Sequence, residues 1–238
     1  MMQKREIAKR LFAHEFNQST HKIEEEGEKT PTYILTPTGA RCNRVFVVGV
    51  LLDKEEIKPD SNFWRVRVSD PTGVFVCTAG RYQPDALEAL MEIEPPEMIS
   101  VVGKVNVYEG ESRTFVSVRP ESITVVDKEI RDYWVYETAK RTMERIEKMQ
   151  NEQDDQNVSL AWQVYSTDLA EYKDTVKQAL MAIKEEFDAF ETDKGEKKGQ
   201  EVKKEGGGEQ AEEGEEEPFL EEMEFEEEEW DLSDILGE

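Results

Sequence analysis

Only two cysteines, Cys42 and Cys77, occur in the 238 residues, and they lack CxxC spacing. That excludes a cysteine zinc module and a disulfide framework, and predicts reduced thiols. Two histidines, His14 and His21, are too few for chemistry built on clustered imidazoles. No apolar run approaches the ~20 residues of a membrane span, and the N-terminus carries no signal-peptide core. The expectation is a cytoplasmic protein that makes no membrane contact. Positive charge is also scarce: 30 Lys+Arg stand against 55 Asp+Glu, a net of −25.

The acidity is not spread evenly. Residues 1–126 carry a net of −3, residues 127–190 a net of −6 and residues 191–238 a net of −16. The first segment is therefore near neutral and has room for a local basic face, so the whole-chain charge does not exclude an anionic ligand.

Within 41–126 the pattern alternates between β-rich runs and turn residues. Strands are expected at Val45–Leu52, Phe63–Ser69, Val74–Ala79, Met98–Val107 and from Thr114. A short helix at 84–91 opens on Pro84, which suits a first helical turn. Gly49 and Gly103 interrupt two strands, as barrel bends require. Strand, strand, strand, helix, strand, strand is the order of a five-stranded OB-fold barrel. The fold class is thus mainly β with helical extensions.

Around the barrel, 1–40 reads as an N-terminal helix (residues 2–16, with Ile7, Leu11 and Phe12 on one face) and an arm. TYILT at 32–36 is a candidate extra strand, and 17–30 a polar loop. Asp127 caps a helix over 127–150. A second helix spans 158–190. Residues 191–238 form an acidic tail, low in complexity to 217 and expected to be disordered.

Strand alternation sorts the barrel side chains. Trp64, Val66 and Val68 point inward, leaving Phe63, Arg65 and Arg67 outside. Lys104, Asn106 and Tyr108 share a face opposite Val101, Val105 and Val107. Phe115, Ser117 and Arg119 lie opposite Val116 and Val118. Phe75 and, in the 108–113 hairpin, Arg113 complete the candidate set. Cations that follow phosphates beside rings that stack on bases make a single-strand-binding surface. A solvated strand face, with Phe63 and Phe115 under the terminal helices, is the alternative. A nuclease reading finds only Asp53, Glu55, Glu56, Asp60 and Asp70, placed in loops without ligand spacing. No catalytic residue, metal ligand or cofactor is expected.

The blocks RCNRVFVVGVL, WRVRVSDPTGVF, EPPEMISVVGKVNVY and FVSVRPESITVVDKEIRDYWVYETAKRTMERI, together with IAKRLFAHEFN, resemble the archaeal replication protein A-associated OB-fold proteins. More distantly, a barrel followed by one long helix is similar to the middle subunit of eukaryotic replication protein A. The likeness covers about residues 1–150. It implies a non-catalytic accessory subunit that binds single-stranded DNA in replication, repair and recombination, beside a larger replication protein A subunit with several OB-folds. It also implies that the helix after the barrel packs on a partner through Trp134, Val135, Tyr136, Met143 and Ile146; packing on its own barrel is the alternative. The chain departs from the eukaryotic pattern after residue 190, where no winged helix is evident. A protein-interaction subunit that never touches DNA, or an RNA-binding barrel, stays open.

The acidic tail interleaves Phe225, Trp230, Leu232, Ile235 and Leu236 with carboxylates. Anchors at this density suit docking in a groove of a DNA-processing enzyme. The tail is similar in kind to those of bacterial single-strand-binding proteins but closes in Leu-Gly-Glu. Occupation of the chain's own basic face is a second reading.

Overall fold

A computed structural model describes residues 6–23, 31–59, 61–110 and 113–204, with side chains to residue 187. Five strands close a barrel: β4 (Arg44–Glu56), β5 (Trp64–Asp70), β6 (Gly73–Ala79), β7 (Glu97–Glu109) and β8 (Thr114–Val125), in the order β4-β5-β6-β8-β7. They are numbered after a small antiparallel sheet, β1 (His21–Ile23), β2 (Tyr33–Leu35) and β3 (Arg41–Cys42). The barrel is mixed, with β6 and β8 parallel where Cys77 meets Val118. Its interior is filled by alternate residues, among them Val45, Val47, Val66, Val68, Val101 and Val118. Both thiols are buried in this region, and burial pushes Cys42 and Cys77 up to about 12.

The expected strands and their order hold. So do the bends: Gly49 and Gly103 sit where a Cβ would meet a neighbouring backbone oxygen, Ser69 O at 2.3 Å and Arg119 O at 2.6 Å. Beside Gly103 the β7–β8 register shifts, as a bulge does. Helix α2 (Pro84–Glu92) joins β6 to β7 and buries Ala86 and Leu90.

The N-terminal segment departs from its helical reading. Only α1 (Ala13–Gln18) is helical; residues 6–12 form no helix, and Lys9 makes an isolated parallel bridge with Val45. Lys9 N donates to Arg44 O at 2.8 Å, and Phe46 N donates to Lys9 O at 2.9 Å. The reason is an accounting of backbone groups. β5 pairs with β4 only from Val50 onward, so the first half of β4 would otherwise keep an unpaired edge. The 17–30 loop holds β1, and TYILT supplies β2.

Helix α3 (Lys128–Asn151) starts where expected, with the Asp127 carboxylate accepting from Ile130 N at 2.9 Å. The single helix expected over 158–190 is two. α4 (Gln156–Tyr165) stops at Ser166, which adopts a left-handed φ of 48°. Thr167 then donates to Pro37 O at 2.7 Å, and the Asp168 carboxylate accepts from Ala170 N as α5 (Leu169–Lys204) begins. α5 carries helix into 191–204, a stretch expected to be disordered. Among the described residues, those from Ile183 onward belong to a separate unit. The tail anchors Phe225, Trp230, Leu232, Ile235 and Leu236 lie outside the described residues. Among those described, no helix is long and apolar enough to cross a membrane.

Candidate nucleic-acid interface

The exposed face is built by register. In the β7–β8 ladder Lys104 lies opposite Arg119, Asn106 opposite Ser117 and Tyr108 opposite Phe115. Directly opposed residues share one face of a sheet. One row therefore reads cation, amide, aromatic, and its neighbour cation, hydroxyl, aromatic. Asn106 reaches Ser117 at 3.4 Å. Tyr108 is 65% exposed and Phe115 50%. The Arg113 guanidinium sits 5.6 Å above the Phe115 ring, within cation–π range.

Next to these rows is a cavity of about 410 Å³ whose lining includes Phe63, Thr78, Arg81, Tyr82, Asn106 and Arg119. Phe63 is 42% exposed. Its ring lies so close to Gly80 that a Cβ there would stand 2.9 Å from it, so the glycine lets the ring settle at the end of β6. A second cavity, about 460 Å³, shares Tyr82, Gln83 and Arg119 with the first and adds Lys104 and Asn43. Arg119 thus borders both.

Arg81 and Tyr82 were missed by strand alternation because they occupy the connection between β6 and α2. Tyr82 is 77% exposed, with the Arg81 guanidinium 4.8 Å over its ring and donating to its hydroxyl at 2.8 Å. An Arg-Tyr pair just before a proline-initiated helix was the available signal.

The β5 arginines are differently placed. Arg65 and Arg67 do face outward, but each meets a carboxylate: Arg65 pairs with Glu55 at 2.7 Å, and Arg67 with Asp53 through two hydrogen bonds. Arg67 holds the Asp53 carboxyl below its ordinary value. Asp53, Glu55 and Glu56 belong to β4, which runs four residues past its expected end, and Asp70 closes β5. None of these four is the loop residue the sequence suggested. By contrast, Lys104, Arg113 and Arg119 have no ion-pair partner among the described residues.

Four site expectations are corrected. Phe75 is fully buried: it sits opposite Val68 in the β5–β6 register, and so shares the interior with it, against Phe16. Val74, Val76 and Thr78 take the outer face instead. On α3, Trp134, Val135 and Ile146 are also buried and are not free for a partner. Trp134 donates to Phe46 O and meets Phe12 edge-on, so this stripe is consumed by the chain's own barrel. Tyr136 and Met143 are half-buried, while Ile130 and Tyr133 are exposed.

Five strands closed in this order, with a helix between the third and fourth, define an OB-fold barrel. No family model matches the chain, and no curated protein matches it. Among solved structures it is similar to the Stn1–Ten1 complex of S. pombe, with 14% identity over 45% of this chain and 76% of that one, at a TM-score of 0.39. A replication protein A heterotrimer bound to ssDNA shows 16% identity over 59% and 98%, also at 0.39. The second single-stranded DNA-binding protein of Mycobacterium smegmatis shows 17% over 35% and 86%, at 0.29. Likenesses this distant carry no weight for function, which rests on the geometry of the face.

Proposed function

We propose that the chain is a non-catalytic single-stranded DNA-binding protein whose binding surface is the β7–β8 face and the two cavities beside it. The observation that supports this is the cross-strand pairing of Lys104 with Arg119 and of Tyr108 with Phe115 on one exposed face. Phosphates follow Lys104, Arg119, Arg113 and Arg81, while bases stack on Phe63, Tyr82, Tyr108 and Phe115. Each stacked base is worth ~1–3 kcal/mol and any base serves, so the binding is tolerant of sequence. Four cations make a modest electrostatic contribution, with a salt slope of roughly −0.7 per phosphate neutralised.

So few cations suit one contributor to a larger assembly better than an independent clamp. The finer reading is an accessory subunit of an archaeal replication protein A complex, beside a subunit with several OB-folds, working in replication, repair and recombination. The resemblance of the sequence blocks supports that reading. With Trp134, Val135 and Ile146 covered, the partner contact moves to the exposed Ile130 and Tyr133 of α3 and the adjoining Val125. The tail anchors are left to recruit DNA-processing enzymes. A second reading, docking on a partner without touching DNA, is favoured by the neutralised arginines of β5.

Fluorescence anisotropy with a labelled oligothymidine, on the full chain, separates the two. Binding that weakens when Tyr108 and Phe115 become alanine supports the first. No binding at low salt leaves the second. Competition by oligouridine against oligothymidine decides between RNA and DNA.

A further inference from the structure

We infer that Asp53 and Glu55 set the affinity and reach of the proposed nucleic-acid site by withholding Arg67 and Arg65 from the phosphates. This rests on the single-strand-binding reading above and adds to it a pair of specificity-determining residues.

The arrangement follows from one irregularity. The β4–β5 register shifts between Leu51 and Asp53. Leu51 lies opposite Val68, and an uninterrupted ladder would next set Leu52 opposite Arg67 and Lys54 opposite Arg65. The bulge adds one residue to β4, and one residue of slip exchanges the two faces of a strand. Asp53 therefore meets Arg67, and Glu55 meets Arg65. Lys54, displaced from that face, donates to Leu90 O at 2.8 Å and pairs with Glu94 at 3.1 Å. The bulge thus puts two carboxylates where an apolar and a basic side chain would have stood.

The consequence is a face in two halves. On β7–β8 the cations have no ion-pair partner among the described residues. On β4–β5 the two arginines are neutralised, although all four partners stay exposed: 50% and 54% for Arg65 and Glu55, 52% and 39% for Arg67 and Asp53. Exposed pairs of this kind are weak and exchange readily. A phosphodiester reaching them must displace a carboxylate, and so gains little counterion release. The track of a bound single strand is thereby confined to the β7–β8 side and its cavities.

The test compares the full chain with Asp53→Asn/Glu55→Gln, measuring oligothymidine anisotropy over a range of salt. The double variant is expected to bind on the order of tenfold tighter at low salt, with a slope steeper by up to about 1.4, two further phosphates on a single strand. A third protein carries Arg65→Gln/Arg67→Gln as well, and there the gain is expected to vanish. A gain that persists without the arginines reports general loss of negative charge and overturns the inference. Equal affinity and slope for wild type and double variant also overturn it, while the proposed function stands. No binding by any of the three overturns both. Thermal melts of each variant identify folded protein before binding is compared.

Discussion

Trp134 Nε1 donates to the carbonyl of Phe46 at 2.9 Å, tying the first turns of α3 to the start of β4. The indole is buried, and Phe12 packs edge-on against it at 5.8 Å between centroids. The helix that follows the barrel is therefore part of the barrel's own fold. Trp134→Ala is expected to cost ~3–5 kcal/mol, from a cavity beneath α3 and a carbonyl left without its donor. Trp134→Phe keeps most of the volume and should cost less. Urea unfolding of both variants checks the order.

A second tie is ionic. Arg145 donates to Glu15 at 2.6 Å and to Thr38 Oγ1 at 2.8 Å, while Thr38 donates to Glu15. Glu15 is 1% exposed. Removing the guanidinium strands a buried carboxylate, so Arg145→Met should destabilise by ~3–5 kcal/mol. Adding Glu15→Gln removes the stranded charge and is expected to restore a substantial part of the loss. Denaturation midpoints of the single and double variants measure this coupling.

Strand order and the helix after the barrel were legible because period-2 runs and the Asp127 cap are local signals. What was not legible depended on distant partners. Residues 6–12 have a helical pattern, yet an unpaired edge of β4 draws Lys9 into a parallel bridge with Val45. Phe75 looked equivalent to the other aromatics until the β5–β6 register placed it opposite Val68. The pairing of Arg67 with Asp53 required knowing that β4 bulges between Leu51 and Asp53, which no composition reveals. The break between α4 and α5 was readable: Ser166-Thr167-Asp168 is a run of capping residues inside an otherwise helical pattern.

Asp155 supplies a pH-dependent contribution. Its carboxylate accepts from Asn157 N at 2.9 Å and Val158 N at 3.1 Å, capping α4, and pairs with Lys148 at 2.7 Å. Lys148, then the cap hydrogen bonds, hold the carboxyl below its ordinary value. A carboxyl depressed in the folded state binds fewer protons there than in the unfolded chain. Its contribution is complete above the unfolded value of ~3.9 and is lost as pH falls through and below it. Asp155→Ala should therefore cost about 0.5–2 kcal/mol near neutrality. The gap between wild type and variant should close below about pH 4, as followed by chemical denaturation at several pH values.

The proposed face makes separate demands on its cations and its rings. Lys104 and Arg119 are opposed across β7–β8, and Arg119 borders both cavities. Arg119→Ala should weaken oligothymidine binding and flatten its salt slope by ~0.7, the signature of one lost phosphate. Tyr108→Ala and Phe115→Ala should weaken binding by ~1–3 kcal/mol each and leave the slope unchanged, since a stacked base releases no counterion. Tyr82→Ala should behave like the ring variants, although Arg81 leans on its ring and loses that support. Phe75→Leu, a change inside the barrel, should lower stability and leave binding by the folded protein intact. Anisotropy titrations at three salt concentrations read affinity and slope together. A ring variant that flattens the slope, or an Arg119 variant that leaves it unchanged, would break the assignment of rings to bases and cations to phosphates.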